Sequence, residues 1–234
     1  MKSYLFNLLG IALIGVLLTA CDKGPGVVPE VSSKPLTDAG TGGGGTTPPS
    51  AERNAYQPLS TGTSWRYVET SGSDKDTTTL TVTGNTKTIN SKTFYEIAEN
   101  SRFGKDTSYY NVNGHDYTNN TENFADGIGT DILYLNDEKP VGYTWTGQAI
   151  PNNPLITGTY SGKVTEMGLT KIVLGKTYSN VIHTQVSMTF SALGGTPETL
   201  NFDFYIAKGI GIIQVDTDDG TDKTSNQLID YTIK

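Results

Sequence analysis

From Tyr56 onward the chain alternates apolar and polar residues in short runs with a period of two. In Asn201-Phe202-Asp203-Phe204-Tyr205-Ile206, Phe202, Phe204 and Ile206 fall on one side and Asn201, Asp203 and Tyr205 on the other, the pattern of a strand with one buried face. Between 181 and 190, Ile182, Val186, Met188 and Phe190 share a side opposite His183, Gln185, Ser187 and Thr189, and Ile229, Tyr231 and Ile233 align in the same way near the C-terminus. Similar runs predict strands over 64–70, 77–83, 93–98, 107–112, 131–135, 142–147, 156–164 and 210–216, making about a dozen in all. Asn113-Gly114 is the strongest two-residue hairpin signal, and Gly84-Asn85, Gly194-Gly195 and Asp219-Gly220 supply further turns. No amphipathic helix is evident after residue 21. Close spacing with tight turns predicts an all-β fold of consecutive antiparallel strands. That fold is a strongly curved sheet, half-barrel or barrel, with a two-sheet sandwich as the alternative.

Two strand starts look alike. Leu59-Ser60-Thr61-Gly62-Thr63-Ser64-Trp65 and Pro140-Val141-Gly142-Tyr143-Thr144-Trp145 each place glycine three residues before tryptophan, which reads as a turn that delivers a buried ring.

The first 55 residues have a different texture. Lys2 precedes an apolar stretch from Tyr4 to Leu18 that ends in Leu18-Thr19-Ala20-Cys21. The stretch, interrupted by Asn7 and Gly10, is shorter than the roughly 20 apolar residues of a membrane span and fits an export signal. Residues 22–55 are rich in glycine, proline and threonine, without apolar periodicity, and read as a disordered linker. As a flexible coil such a segment spans about 30–35 Å. Three regions follow: a cleaved signal at 1–20, an anchor and linker at 21–55, and a single β domain at 56–234.

The N-terminal motif resembles a bacterial lipoprotein signal peptide with its lipobox. The resemblance implies a thioether diacylglycerol on Cys21, cleavage before it and acylation of the new amino terminus, for instance with palmitate. Two or three acyl chains would hold the protein stably on a membrane. The β domain in turn resembles β-rich envelope lipoproteins of Bacteroidota. The likeness rests on Tyr56-Gln57-Pro58-Leu59 with Gly62 and Trp65-Arg66-Tyr67, on Lys176-Thr177-Tyr178-Ser179-Asn180-Val181, and on Tyr205-Ile206-Ala207-Lys208-Gly209-Ile210-Gly211-Ile212-Ile213. It implies a lipid-anchored location in the cell envelope, at the outer membrane, and attaches no catalytic residue to these motifs.

Composition narrows the chemistry further. Cys21 is the only cysteine, so the exported domain has no thiol for a disulfide, a metal site or a nucleophile. His115 and His183 are the only histidines, and neither has a partner at metal-ligand spacing. The glycine run 42–45 lacks the lysine of a phosphate-binding loop, and no Gly-x-Ser-x-Gly elbow occurs. No catalytic or cofactor-binding residue and no cofactor is therefore assigned. The weak metal candidates are Asp216, Asp218 and Asp222, within the Asp216-Thr217-Asp218-Asp219-Gly220-Thr221-Asp222 run, because hard cations take oxygen ligands. The order departs from an EF-hand loop, and a solvated hairpin turn explains it as well. Tyr109, Tyr110, Tyr117, Tyr134 and Tyr143 are the residues that could form an aromatic platform for a sugar.

Loss of the signal takes Lys2 from the 17 basic residues, leaving 16 against 24 acidic ones, a formal net charge of −8. Nucleic acid is not an expected partner of such a chain. The expected function is a membrane-anchored, non-catalytic binding or interaction module for an acyl chain, a glycan or an envelope protein. A carboxylate-based glycan hydrolase and a structural subunit of an envelope complex are the alternatives. Phe202, Phe204, Ile206, Ile182, Val186 and Met188 would line a concave groove for an acyl chain, provided they do not close on one another.

Overall fold

The computed structural model describes residues 55–125, 128–150, 153, 155–192 and 195–234. The expected signal peptide, Cys21 and the expected linker through residue 54 lie outside these, as does Gly194. Twelve strands follow one another, with no helix among the described residues: β1 (Ser64–Ser71), β2 (Asp74–Ile89), β3 (Lys92–Ser101), β4 (Gly104–Asn113), β5 (Asp116–Ala125), β6 (Ile128–Asn136), β7 (Thr144–Ile150), β8 (Ile156–Val173), β9 (Lys176–Ala192), β10 (Glu198–Ala207), β11 (Gly211–Asp218) and β12 (Lys223–Thr232). They form one antiparallel sheet in the order β6-β5-β4-β3-β2-β1-β12-β11-β10-β9-β8-β7. The sheet curls into a nearly closed barrel, so the barrel expectation holds over the sandwich.

Eleven of the twelve strands were anticipated. The one missed, β5, reads Asp-Tyr-Thr-Asn-Asn-Thr-Glu-Asn-Phe-Ala and offers little apolar contrast between its two sides. Strands β2, β8 and β9 run longer than predicted. The register of β2 against β3 shifts between Val82 and Thr86, and that of β8 against β9 shifts at Val164/Glu166, Glu166/Leu169 and Leu169/Lys171. Each irregularity resets the period-two pattern, so the alternation breaks where the strand continues. The C-terminal strand also differs from expectation. Its inward positions are Thr224, Asn226 and Leu228, while Tyr231 is exposed opposite Trp65.

The two similar strand starts are the same turn used twice. Gly62 and Gly142 have φ of 83° and 89°, which favours glycine. Their N–H groups donate to Val82 O (2.9 Å) and Val164 O (2.8 Å), while Thr63 N–H and Tyr143 N–H donate back to Ser60 O and Pro140 O. Each turn delivers a buried tryptophan whose indole N–H is used: Trp65 donates to Ile210 O at 2.6 Å and Trp145 to Leu133 O at 2.9 Å.

The Trp145 bond closes the barrel. The sheet edges, β6 and β7, share no ladder, and side chains bridge them instead. Leu133 of β6 receives the Trp145 indole on its carbonyl and donates its own N–H to the Tyr160 hydroxyl at 3.3 Å, and Thr184 Oγ1 donates to Tyr134 O at 2.7 Å. The rings reach the seam because their cross-strand partners are glycines. Trp145 pairs with Gly162 and Tyr160 with Gly147, and a Cβ at either glycine would come within 2.1 or 2.5 Å of the ring. Side-chain capping of an edge satisfies main-chain groups that would otherwise recruit another strand.

The interior is filled by one core that includes Trp65, Tyr67, Leu80, Ile97, Tyr134, Ile182, Val186, Met188, Phe204, Ile206, Ile213 and Leu228. Successive antiparallel strands put both domain termini and the β4–β5 and β10–β11 turns at one end of the barrel, here called proximal. The β1–β2, β3–β4 and β11–β12 hairpins lie at the distal end.

Candidate functional site

The inward face changes character along the barrel axis. Trp65 and Tyr67 of β1 point into the apolar core, and the next inward residue of that strand is Glu69. Glu69 stands in a cross-strand row Phe204–Val215–Asn226–Glu69–Asp76 that spans β10, β11, β12, β1 and β2, so a single row passes from apolar to polar. Two strands away and offset by four and six residues along β2 from Asp76, Glu99 pairs with Leu80, and Ser108 pairs with Ile97 and Thr121, which in turn opposes Thr130. Glu69, Asp76, Glu99, Ser108, Thr121, Thr130 and Asn226 are all buried.

These groups are incompletely paired. The Asn226 amide donates to Glu69 Oε2 at 3.3 Å, and the Thr121 and Thr130 hydroxyls bond each other at 2.9 Å. Glu69 Oε1, Glu99 Oε1, Ser108 Oγ and Asn226 Oδ1 have no protein partner although their residues are 5% exposed or less. Such orphans are rare because each costs about 1–3 kcal/mol of desolvation. Burial pushes the Glu69 carboxyl up to about 7, opposed by the Asn226 amide and reinforced by Asp76. Burial likewise pushes Glu99 up to about 7, against the neighbouring Ser108 hydroxyl, which lies outside ordinary hydrogen-bond geometry. Arg102, half exposed in the β3–β4 hairpin, stands at the rim with Nε 3.4 Å from Asp76 Oδ1.

The proximal end is arranged oppositely. The segment from Ala55 to Leu59 lies across it, with Gln57 and Leu59 buried. Gly209 N–H donates to Ala55 O at 2.8 Å, Tyr56 N–H to the Tyr117 hydroxyl at 3.2 Å, and the Tyr134 hydroxyl to Gln57 Oε1 at 3.2 Å. Tyr117 in turn donates to Asp137 Oδ2 at 3.0 Å. The chain therefore enters the barrel at the end remote from the buried carboxyls.

His183 forms a second cluster, on the outer face. It was expected on a solvated strand face; the face is right, but the side chain is almost covered. Its Nδ1 lies 3.2 Å from Glu166 Oε2 and its Nε2 2.7 Å from Asp203 Oδ1. The ring stacks on Tyr205 at 4.3 Å between centroids, and Lys171 Nζ sits 3.4 Å from the Tyr205 ring centroid. The bulges in β8 make this possible by placing Glu166 opposite His183. The cluster ties β8, β9 and β10 together.

The other sequence candidates divide as follows. Asp216 accepts from the Gln214 amide and from Ser225 Oγ (2.6 Å), Asp218 accepts from Gly220 N–H and pairs with Lys223 at 2.8 Å, and Asp219 caps the N–H groups of Thr221 and Asp222. These carboxylates are spent on the hairpin itself, and among the described residues no group of three or more His, Cys, Asp or Glu side chains converges on a metal position. The tyrosine platform does not form: Tyr109, Tyr110, Tyr117 and Tyr134 are buried, with Tyr110 and Tyr117 packed on Tyr134, and only Tyr143 is exposed. The rings of Tyr110, Tyr117 and Tyr134 belong to the core, while Tyr109 has Lys87 Nζ 5.2 Å from its ring centroid. His115 is exposed and bonded to Asp137 at 2.7 Å, a contact that raises its pKa. The six apolar residues expected to line an acyl groove, Ile182, Val186, Met188, Phe202, Phe204 and Ile206, all belong to the closed core. Cys21 lies outside the described residues.

Glu69, Glu99, Ser108 and Asn226 escaped the sequence reading. A signal was present: Glu69 continues the Trp65, Tyr67 alternation and Glu99 continues from Ile97, so a period-two extension past the apolar run points to both.

No protein-family model matches the chain, and no curated protein matches it significantly. Solved structures do. A candidate lipoprotein from Parabacteroides distasonis ATCC 8503 aligns with a TM-score of 0.54 at 10% identity over 76% of this chain and 98% of its own. A candidate exported protein with a YmcC-like fold from Bacteroides fragilis NCTC 9343 gives 0.44 at 8% identity, covering 75% and 97%, and LprF from Mycobacterium bovis gives 0.24 at 9% identity, covering 80% and 97%. At these identities the first similarity shows a shared fold.

Proposed function

We propose that the chain is a cell-envelope lipoprotein, anchored at the outer membrane through acylated Cys21, whose barrel is a non-catalytic binding module for a small hydrogen-bonding ligand of the glycan class. One observation carries the binding reading: four buried, unpartnered oxygen atoms of Glu69, Glu99, Ser108 and Asn226 lie in the barrel interior, those of Glu69 and Asn226 side by side in one cross-strand row toward the distal end. The export signal, the lone cysteine and the linker support tethering, and a tether attached proximally leaves the distal end turned away from the membrane. The acyl-chain version loses its support because the side chains that would form the groove pack on one another.

Native mass spectrometry of the protein purified from its own envelope, followed by extraction of what co-purifies, tests the reading. A bound polar small molecule is the expected result; a bound lipid or a stoichiometric protein partner would replace it with the acyl-carrier or subunit reading. For the anchor, Cys21→Ser should move the protein from the membrane fraction to the soluble envelope fraction. Retention of the variant on the membrane would dismiss lipidation.

A carboxylate-based hydrolase is the second reading, favoured by the direct cross-strand pairing of Glu69 with Asp76. A carboxyl raised to about 7 beside a second acid is the pattern of a general acid and its partner. Glycan turnover by the wild type that Glu69→Gln abolishes would establish it, and turnover indifferent to both Glu69→Gln and Asp76→Asn would remove it.

A further inference from the structure

The β8–β9 hairpin holds an apolar tip in water at the proximal end. The ladder between β9 and β10 ends at Val181, while β8 and β9 stay paired as far as Val173 and Lys176, so the hairpin runs on past β10. One side of it is held down: Val173 and Tyr178 are buried, and Lys176 Nζ donates to Ile229 O of β12 at 2.6 Å. The other side exposes Ile172 and Leu174, at 67% and 49%. Leu174 is unfavourable in a second way. It forms the two-residue turn with Gly175, at φ of 47° and 79°, a conformation suited to glycine or asparagine and strained for leucine. Backbone outliers of this kind concentrate at functional sites, and the cost of an exposed apolar side chain is relieved when it enters an apolar phase.

The surroundings of the tip are basic, although the chain as a whole is acidic. Lys176, Lys208 and Lys234 are exposed, and Asp230, the only acidic residue of β12, is held by Arg66. The acidic pair of the β6–β7 connection, Asp137 and Glu138, faces His115. At the distal end the β11–β12 hairpin is the reverse, with Asp218, Asp219 and Asp222 against Lys223 alone. The basic region also adjoins the point of chain entry. Lys208 N–H donates to Asn180 O at 3.3 Å and Gly209 N–H to Ala55 O at 2.8 Å, so one turn joins the base of the hairpin to the segment from which the tether leaves.

We infer that this tip docks on the surface of an anionic lipid bilayer: Ile172 and Leu174 enter the boundary between headgroups and acyl chains, and Lys176, Lys208 and Lys234 meet the headgroups. The inference rests on the anchor reading of Cys21 and goes beyond it by fixing how the barrel stands on the membrane. A linker spanning about 30–35 Å keeps the domain within reach of the surface that holds the anchor. At the resulting effective concentration two apolar side chains and three lysines suffice, where they would bind poorly from free solution. A second copy of the chain fits the same patch worse, because a two-fold contact would set its lysines against their own equivalents.

The experiment is fluorescence quenching on the whole protein purified from its envelope, with its mass read for acyl chains on Cys21. The protein is placed on vesicles of phosphatidylethanolamine and phosphatidylglycerol that contain a doxyl-labelled lipid. A bimane label is carried at Leu174→Cys or, in the distal β3–β4 hairpin, at exposed Phe103→Cys. The label at 174 is expected to be quenched at least about threefold more than the label at 103. That difference should fall by about half or more on phosphatidylcholine vesicles, and likewise in a Lys208→Glu, Lys234→Glu double variant. Acylated protein in which neither label is quenched, or in which 103 is quenched in place of 174, would overturn the docking and leave the anchor standing. A mass without acyl chains would overturn the anchor, and the 174 label of the same protein mixed with vesicles would still decide the docking. Burial of that label in a dimer seen by sedimentation, with no quenching by lipid, would replace the bilayer with a second copy of the chain.

Discussion

The polar groups that hold the chain-entry segment are paired, whereas several others buried in the same barrel, Glu69 and Asn226 toward the distal end among them, are not. At the proximal end Gln57, Tyr117, Tyr134 and the Trp65 indole are each paired, with main chain, with one another or with Asp137. At the distal end Glu69, Glu99, Ser108 and Asn226 leave one acceptor each unpaired. A paired buried polar group fixes a structure, whereas an unpaired one stores a cost that a ligand can relieve. Under the proposed function, the paired groups stabilise the fold and the unpaired ones are available to a ligand.

Trp65→Ala breaks the proximal end most severely. It removes a ring that is 1% exposed and the bond to Ile210, and should lower unfolding stability by about 3–5 kcal/mol in urea titration. A loss below about 1 kcal/mol would show that the end is not a stability element.

The distal end should respond to pH. A carboxyl raised in the folded state binds its proton more tightly there than in the unfolded chain. Its contribution is complete below the ordinary value of 4.5, declines as pH rises toward about 7 and is gone above it. At about 1.4 kcal/mol per unit, each group imposes at most roughly 3 kcal/mol between pH 4.5 and 7. The expected outcome is a urea midpoint that falls from pH 5 to pH 8 in the wild type and falls much less in a Glu69→Gln, Glu99→Gln double variant. Equal pH slopes in the two proteins would refute the assignment of these groups.

Gly162→Ala probes the seam that both ends share. Its Cβ would press into the Trp145 ring and should cost about 1–3 kcal/mol while leaving the pH slope unchanged. A changed slope would mean that the seam and the distal carboxyls are coupled. The smallest effect is expected from Gln57→Ala, about 1 kcal/mol for the lost Tyr134 bond, with ligand binding at the other end unaltered. Weakened binding in that variant would contradict the separation of the two ends.

Strand positions with a sharp apolar–polar contrast were legible in the sequence, and those without it were not. The 201–206 run places Phe202, Phe204 and Ile206 inward as expected. In the C-terminal strand the expected inward set Ile229, Tyr231 and Ile233 holds for Ile233, which packs against the core, and fails for exposed Tyr231 and for Ile229, where the register shifts between Arg66 and Tyr67. The true inward face begins with Thr224 and Asn226, which look like surface residues until the barrel encloses them. Strand β5 was lost for the same reason, since Asn119 and Thr121 are buried polar residues. The polar interior that makes the site interesting is thus what concealed it. The tyrosine platform failed in the converse way, because aromatic residues suited to a sugar surface are equally suited to a core.

The sequence by itself determined the class of the fold, the turns at Asn113-Gly114 and Asp219-Gly220 and the repeated glycine–tryptophan corner, because these depend on local conformational preference and on periodicity within single segments, whereas Gly84-Asn85, expected as a turn, lies at the register shift inside β2. Only the tertiary structure decided that the sheet closes as a barrel, that Trp145 and Tyr160 seal its edges over glycines, and that Glu69, Glu99, Ser108 and Asn226 face one interior. The physical reason is that burial and unpaired hydrogen-bonding capacity belong to no residue alone. They arise when strands distant in sequence, such as β1 and β12, are brought side by side and shut away from water.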